Sequence, residues 1–239
     1  MSSPALDELV AAAARERDGF AARVAGLPYE RKGVLFSEML FLTLCARGAA
    51  PRRILESGRA RGQSTLVLAV CFPALPLISF EHDPKSPHAP VAAERLRGRG
   101  QVELRFGDAT RELPRIAQPG DVVLIDGPKG WRGLRFALSL LAQGRVAMVF
   151  LHDVLPDCPE RRFLQKWLPA TLYSDNPRFA AIAHTLDTAA DDLAPERRWH
   201  AGQTGYGYSL ACLPRLPGAP YRRAWLAAVA AGLAPSNRG

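Results

Sequence analysis

Hydrophobic and polar positions divide the chain into two regions of different periodicity. Residues 4–24 carry an Ala-rich helical periodicity, and residues 34–48 (VLFSEMLFLTLCARG) are too densely apolar for a surface helix. From residue 52 onward, short runs rich in Val, Ile and Leu alternate with helical stretches. That alternation is typical of a parallel sheet covered by helices on both faces. The pattern predicts an α/β protein whose sheet follows an N-terminal helical segment.

The alternating region predicts five strands with four helices between them. The strands are residues 52–57, 75–81, 102–108, 121–127 and 146–153, and the helices are 63–71, 89–98, 110–117 and 132–143. Beyond these we expect a helix at 159–168, a short strand at 170–174, an irregular stretch, a late strand at 206–213 and a final helix at 219–234. We expect one folded unit, in which a helical cap (residues 1–50) precedes the sheet domain (residues 51–239).

The net charge of +8 permits two interpretations. Clustered basic residues mark nucleic-acid binding, but only four of the 31 basic residues are lysines and the arginines are spread along the chain. A composition rich in Ala, Arg, Pro and Gly explains the charge at least as well. A nucleic-acid partner therefore stays open as the alternative to a small molecule.

The compartment is predicted from what the sequence lacks. The N-terminus does not resemble a signal peptide, and no apolar run approaches the roughly 20 residues that span a bilayer. The four cysteines are scattered without a CxxC pair, so neither a zinc site nor a disulfide framework is indicated. We expect a cytoplasmic protein that does not bind membranes. The dense apolar helix at 34–48 could serve a homodimer interface.

Acidic residues stand at the ends of the predicted strands. Glu56, Glu81, Asp108 and Asp126 end the first four, and His152 with Asp153 ends the fifth. Doubly wound sheets bind ligands outside the carboxyl ends of their strands, so these side chains are candidates for a common site. An acidic residue at the position of Glu81 can accept hydrogen bonds from a ribose diol, and Asp108 could accept one from the amino group of an adenine.

The turn after the first strand, ESGRARGQST, also indicates a ligand. Gly58 and Gly62 would let the backbone pass close to a bound molecule at the start of a helix. The spacing does not match the GxGxxG of dinucleotide-binding proteins, since Ala60 stands where that motif has a glycine. A dehydrogenase is therefore disfavoured.

Taken in order, the segments ESGRARGQST, ISFEHDP, RFGDA, VLIDGPKG and VFLHDV resemble a known family. They are similar to class I S-adenosylmethionine-dependent methyltransferases, in particular to small O-methyltransferases related to catechol and caffeoyl-coenzyme A O-methyltransferase, and to bacterial relatives with an IDG...HD pattern. The resemblance runs from about Gly33 to Asp153. It implies a doubly wound Rossmann-like methyltransferase sheet, mostly parallel with a late antiparallel strand. It also implies S-adenosylmethionine as cofactor and O-methylation of a small-molecule hydroxyl.

The resemblance further implies which residues bind the cofactor. The subgroup's E-x-G-x-x-x-G-x-S pattern fits four residues of the first turn, and an upstream loop in these enzymes helps to close over the methyl donor. The cofactor-binding residues carried over are Gly33, Glu56, Gly58, Gly62, Ser64, Glu81, Asp108 and Asp126.

A metal site and a catalytic base are implied in the same way. Asp126 and Lys129 match a D-x-x-K arrangement in which the aspartate binds a divalent cation and the lysine acts as base, with its pKa lowered by the cation. His152 and Asp153 align with an Asp-Asn pair that completes the metal site. An imidazole in this set suits Mn or another transition metal better than Mg. Without a metal, His152 would be the natural base, because an unperturbed imidazole titrates near neutrality.

Two alternatives to a small-molecule O-methyltransferase remain. A nucleic-acid methyltransferase predicts an arginine patch beside the ligand cleft. A catalytically inactive S-adenosylmethionine-binding partner protein would keep the fold without the chemistry, although it has no need for the Asp126, Lys129, His152 and Asp153 combination. Candidate aromatic residues for an acceptor pocket are Tyr29, Trp131, Trp167 and Tyr206, of which Trp131 is favoured by its position next to Lys129.

Overall fold

The computed structural model describes residues 4–30, 33–187 and 209–232. Nine α-helices lie in these ranges: α1 (Pro4–Val24), α2 (Phe36–Gly48), α3 (Gln63–Cys71), α4 (Ala89–Arg95), α5 (Ala109–Ile116), α6 (Gly130–Ala142), α7 (Pro159–Trp167), α8 (Pro177–Ala183) and α9 (Tyr221–Gly232). The seven strands there are β1 (Arg53–Ser57), β2 (Leu77–Glu81), β3 (Val102–Phe106), β4 (Asp121–Ile125), β5 (Met148–Leu151), β6 (Leu172–Tyr173) and β7 (Ala211–Pro214). None of the described helices has the length and apolar content needed to span a bilayer.

The strands form one sheet in the order β3-β2-β1-β4-β5-β7-β6. Strands β1 to β5 pair in parallel, whereas β7 is antiparallel to β5 and to β6. Strand β1 pairs with β2 on one side and with β4 on the other, so the strand order reverses beside β1. This confirms the predicted doubly wound, mostly parallel sheet with a late antiparallel strand. The reversal is the place where such sheets bind ligands.

Adjacent residues of each central strand face opposite sides of the sheet, as the period of a strand requires. Ile54 and Val122 pack in a core with residues of α1, α2 and α3, while Leu55 and Val123 pack in a second core with residues of α5, α6 and α9. Both faces are therefore covered. This explains why the strands are almost continuously apolar.

Helix α2 is buried within its own chain. Phe41 packs edge-on against Phe150 of β5 and Phe179 of α8, with ring centroids 6.3 and 5.4 Å apart. Nine residues of α2 are buried, so this helix does not present the apolar surface that we predicted for a homodimer interface. The division of the chain into a cap at 1–50 and a domain from 51 stays a prediction.

Two segments differ from the sequence-based prediction. Residues 177–187, expected to be irregular, form α8 and a 3-10 helix at His184–Asp187. The start of α8 has a local cause, since the Asn176 side chain accepts a hydrogen bond from the Arg178 N–H at 3.1 Å and Pro177 takes the first helical position. The late strand begins at Ala211 rather than at 206, and residues 206–208 lie outside the described ranges.

Asp187 connects this 3-10 helix to the start of α2. Its Oδ1 accepts hydrogen bonds from the Ser37 N–H at 3.2 Å and from the Tyr29 hydroxyl at 3.4 Å. Burial raises the pKa of Asp187 to about 7, and the charge of Glu38 acts in the same direction, while the hydrogen bonds at Ser37 oppose the shift. The folded protein therefore ionises Asp187 at a free-energy cost.

The Asp187→Asn variant should be more thermostable than the wild type at pH 8. The raised pKa means that Asp187 favours the folded state below about pH 4 and loses that contribution as the pH rises through about 7. Asparagine stays neutral and keeps an acceptor oxygen. We expect a melting temperature at least about 2–4 °C above that of the wild type at pH 8, a smaller difference at pH 5 and little difference below about pH 4. A variant less stable than the wild type at pH 8 would contradict this assignment.

Candidate functional site

A cleft of about 260 Å³ opens at the carboxyl ends of β1, β2, β3 and β4. Its walls come from the residues that follow these four strands, together with Arg132 from α6. The cleft lies beside β1, where the strand order reverses. It is therefore in the position where doubly wound sheets bind ligands.

Gly58 brings the end of β1 close to the end of β4. Its φ is +91°, in the region that favours glycine, and a Cβ atom would lie 2.8 Å from the Gly127 nitrogen. Both residues line the cleft. A side chain at position 58 would therefore push the two strand ends apart and change the shape of the cleft.

Two predicted cofactor-binding carboxylates line the cleft on neighbouring strands. Glu81 accepts hydrogen bonds from the N–H groups of Ala60 and His82, both at 2.8 Å. Asp108 caps α5 by accepting from the Thr110 hydroxyl at 2.6 Å and N–H at 3.0 Å. The Thr110 hydroxyl is the main cause that lowers the pKa of Asp108, against the effect of its slight burial. The cleft wall is thus acidic on this side.

Glu56 and Ser64, which we predicted to bind the cofactor, do not line this cleft. The Glu56 carboxylate is fully buried and accepts hydrogen bonds at 2.5 Å from the hydroxyls of Ser64, Thr65 and Ser79. Burial raises the pKa of Glu56, and these three hydrogen bonds oppose that effect. The corrected role of Glu56 and Ser64 is to hold β1, β2 and the start of α3 together.

Gly62 and Gly33 lie outside the cleft, at the turn between β1 and α3 and in the loop before α2, respectively. Gly62 precedes α3 with a φ of +79°, and a Cβ atom there would lie 3.2 Å from the Ala92 side chain on α4. Gly33 packs on Gln63, whose amide donates to the Val34 carbonyl at 2.7 Å. The upstream loop is therefore held against the first turn of α3. Neither glycine lines the cleft.

A cluster of charged side chains borders the cleft beyond Gly127 and Pro128. The Lys129 ammonium donates to Asp126 Oδ1 at 2.5 Å and to Asp153 Oδ2 at 2.7 Å. His152 Nδ1 lies 2.7 Å from Asp126 Oδ1, and its Nε2 lies 3.2 Å from Glu38 Oε2. The structure thus brings together the four residues that we singled out for chemistry and adds Glu38 to them.

The pairing of β4 with β5 places these groups side by side. Asp126 follows β4, and the His152 N–H donates to the Ile125 carbonyl at 3.0 Å. Asp153 has a φ of +61°, a left-handed conformation that is uncommon outside glycine. Glu38 reaches the cluster from α2, where its Oε2 also accepts from the Leu35 N–H at 2.8 Å.

Both candidate bases are cations in this arrangement, contrary to our prediction. Burial favours the neutral imidazole of His152, but the charges of Glu38 and Asp126 outweigh it and raise the pKa of His152 to about 10. Burial likewise opposes the charge on Lys129, while Asp126 and Asp153 raise the pKa of its ammonium above the ordinary value. At neutral pH neither side chain has a lone pair with which to take a proton.

The predicted metal ligands converge, but their ligand atoms already have partners. Asp126, His152 and Asp153 each offer an atom within 4.8 Å of the others. The Lys129 ammonium contacts both carboxylates and lies 3.1 Å from His152 Nδ1. Both nitrogens of the buried imidazole face carboxylates. The donor set therefore does not fit a divalent cation in this arrangement.

Glu38 is the site residue that the sequence analysis missed. Its side chain is 2% exposed, and α2 carries it to within hydrogen-bonding distance of a residue 114 positions away. A signal was present, because Glu38 is the only acidic residue in the apolar segment 34–48. A buried carboxylate requires a partner, so this residue indicated a polar contact of unknown location.

The candidate aromatic residues do not form an acceptor pocket in the part of the chain that the structure describes. Trp131 is 9% exposed and packs edge-on against Phe163 with ring centroids 5.4 Å apart, so it is a core residue. Trp167 stacks on Phe163, with ring centroids 5.9 Å apart. Tyr29 packs against Phe36, and Tyr206 lies outside the described residues.

A cavity of about 620 Å³ lies away from this chemistry. Arg215, Arg222 and Arg223 line it beside the start of α9. It adjoins the amino end of β5, because Pro214 of β7 pairs with Met148. This is the sheet edge opposite the cleft. This arginine grouping is therefore away from the cleft, whose own lining includes Arg132 and whose Asp108 pairs with Arg111.

Comparison with known proteins finds sequence relatives that are catechol O-methyltransferases. No family model matches the chain. It is 37% identical over 97 residues to a catechol O-methyltransferase of Niastella koreensis, across 37% of this chain and 43% of the relative. It is 36% identical over 116 residues to a catechol O-methyltransferase of Mycobacterium tuberculosis, across 46% of this chain and 52% of the relative. The chain thus spans about half the length of these relatives.

Solved structures with a similar arrangement include the O-methyltransferase TomG of Streptomyces achromogenes in complex with S-adenosylmethionine. That structure gives a TM-score of 0.48 at 22% identity, across 87% of this chain and 89% of the other. The similarity to O-methyltransferases that the motifs predicted is confirmed by the two sequence relatives.

The Gly58→Ala variant should lose about 2 kcal/mol or more of stability, through its positive φ and its clash with Gly127. Gly26→Ala is the matched control, because Gly26 has a φ of +77° but nothing within 4 Å of its Cβ position. Chemical denaturation of both variants measures the difference. Equal losses of stability in the two variants would show that the clash with Gly127 adds nothing to the cost of the positive φ.

Proposed function

We propose that this protein is an S-adenosylmethionine-dependent methyltransferase that acts on a hydroxyl oxygen of a small molecule. The observation that carries the proposal is the position of a half-exposed ammonium beside an acidic cleft wall. The cleft at the ends of β2 and β3 borders, through Gly127 and Pro128, on the ammonium of Lys129, whose side chain is 49% exposed. A donor nucleoside and a deprotonated acceptor oxygen need these two environments next to each other.

The cleft suits the nucleoside part of the donor. Glu81 would accept hydrogen bonds from the ribose hydroxyls, and Asp108 would accept one from the adenine amino group. Gly58 leaves room for the ligand to approach the backbone of the first turn. The two curated relatives, both catechol O-methyltransferases, support this donor and a hydroxyl acceptor.

The proton of the acceptor hydroxyl needs a destination other than Lys129 or His152. When bound, S-adenosylmethionine supplies a methyl group activated by its sulfonium. The Lys129 ammonium, whose side chain is 49% exposed, can orient the acceptor oxygen and stabilise its negative charge. Asp153, with a side chain 32% exposed against 19% for Asp126, is the more accessible carboxylate to receive the proton. The oxygen then presents a lone pair to the methyl group.

The compartment and the acceptor class are part of the same proposal. All four cysteines are unpaired, which suits a reducing cytoplasm. A small-molecule acceptor is favoured over nucleic acid because both curated relatives are catechol O-methyltransferases. The presence of Asp126, Lys129, His152 and Asp153 together does not support the alternative of a catalytically inactive S-adenosylmethionine-binding protein.

Replacing Glu81 by Gln should weaken S-adenosylmethionine binding about tenfold, because the amide accepts fewer and weaker hydrogen bonds from a diol than a carboxylate does. Calorimetric titration of the full chain measures the affinity. Glu112→Gln serves as the control, since Glu112 is paired with Arg115 on α5 and does not line the cleft. No donor binding to the wild type, or equal binding by both variants, would refute the donor site.

Replacing Lys129 by Met should lower kcat about 10²- to 10³-fold, because the charge on the acceptor oxygen would lose its nearest cation. The affinity for S-adenosylmethionine should stay within twofold, since Lys129 does not line the cleft. Methyl transfer to catechol, used as the probe acceptor, gives the rate. An unchanged kcat would remove Lys129 from the mechanism.

A further inference from the structure

We propose that the Lys129 ammonium serves as the cation of the charged cluster, in the place between Asp126, His152 and Asp153 where a divalent metal ion would bind. The position of the ammonium follows from the arrangement of these side chains alone. The catalytic consequence of this position, which is methyl transfer without a bound metal ion, rests on the proposed function.

The distances leave one position for a cation. The candidate ligand atoms of Asp126, His152 and Asp153 lie within 4.8 Å of one another, so a metal ion at the usual distance of about 2.0–2.2 Å would lie between them. The Lys129 nitrogen is already 2.5, 2.7 and 3.1 Å from one atom of each residue. A metal ion and the ammonium would be close neighbours of like charge. One excludes the other.

The imidazole is held in an orientation that does not favour a metal ion. His152 Nδ1 faces the same Asp126 oxygen that receives the Lys129 ammonium, at 2.7 Å. Its Nε2 faces Glu38 Oε2 at 3.2 Å. A metal ion would have to share both Nδ1 and this Asp126 oxygen with the ammonium that already lies against them. The ring is 2% exposed and cannot turn into solvent without leaving Glu38 behind.

The charges within the cluster are nearly balanced. Three carboxylates (Glu38, Asp126 and Asp153) surround the cations of Lys129 and His152. Adding a divalent ion would require the displacement of Lys129. The two cations of the cluster already balance two of its three negative charges.

This arrangement predicts that removing the ammonium creates a metal site. Lys129→Met keeps a side chain of similar length while leaving the two aspartates and the histidine within coordination distance of one another. A metal ion can then bind Nδ1, with any proton on that nitrogen released to water, while Glu38 holds Nε2 as metal-bound histidines require. A gain of metal binding is a result that a merely structural role of Lys129 would not produce.

The experiment titrates the metal-stripped full chain with Mn²⁺ at pH 7 and measures free Mn²⁺ by electron paramagnetic resonance. The proteins are the wild type, Lys129→Met, the double variant Lys129→Met/Asp126→Asn, and the control Lys166→Met, which removes an exposed lysine of α7. We expect one Mn²⁺ per chain in Lys129→Met, bound at least about tenfold more tightly than by the wild type or the control. The double variant should lose this binding. Thermal melts verify that each variant is folded, and Lys129→Gln replaces Lys129→Met if that variant is not.

Saturable Mn²⁺ binding by the wild type that Asp126→Asn abolishes would overturn the proposal, and so would a folded Lys129 variant that binds no more Mn²⁺ than the wild type. A separate titration with S-adenosylmethionine in EDTA tests the proposed function. Absence of donor binding there would refute the methyltransferase while leaving the metal result intact.

Discussion

The buried contact of His152 with Glu38 and Asp126 is the constraint on which the site depends. A buried charge without a partner costs several kcal/mol, so the imidazolium and these two carboxylates must be buried together or not at all. Glu38 comes from α2, Asp126 from the end of β4 and His152 from the end of β5. The N-terminal helices are thereby fixed against the carboxyl edge of the sheet. Any loosening of α2 would expose the reactive end of the cluster to water.

The same contact explains why the chemistry differs from what the residue types suggest. A lysine and a histidine beside a cleft are candidate bases when considered one at a time. Placed among three carboxylates, both are held as cations, because each proton lost would leave negative charge without compensation. Of the two cations, Lys129 has the exposed side chain that could stabilise an anion, so the proposed role of base passes to a carboxylate. The number of acidic neighbours, rather than the intrinsic basicity of the side chain, decides the role.

The sequence was sufficient for the sheet and for the acidic strand ends, since both follow from local patterns. Short, almost continuously apolar runs with helices between them define the order of elements, and the carboxyl edge collects Glu81, Asp108 and Asp126 without any knowledge of contacts. Glu38 could not be placed in this way. Its partner is 114 residues distant, and only the packing of α2 on the sheet determines which polar group it meets. The roles of Glu56 and of the two cations depended likewise on distances that the sequence does not contain.

The proposed function gives a physical reason for placing the cleft carboxylates next to the Lys129 ammonium. The carboxylates would accept hydrogen bonds from a nucleoside, and the ammonium would lower the cost of forming an oxyanion. Transfer of a methyl group from a sulfonium to an oxyanion removes charge from both partners, so exclusion of water from the reacting pair would favour the transfer. Gly58 and Gly127 form the boundary, where a Cβ atom on Gly58 would lie 2.8 Å from the Gly127 nitrogen. The close approach of these two backbone segments is what allows the two regions to meet at one reacting bond.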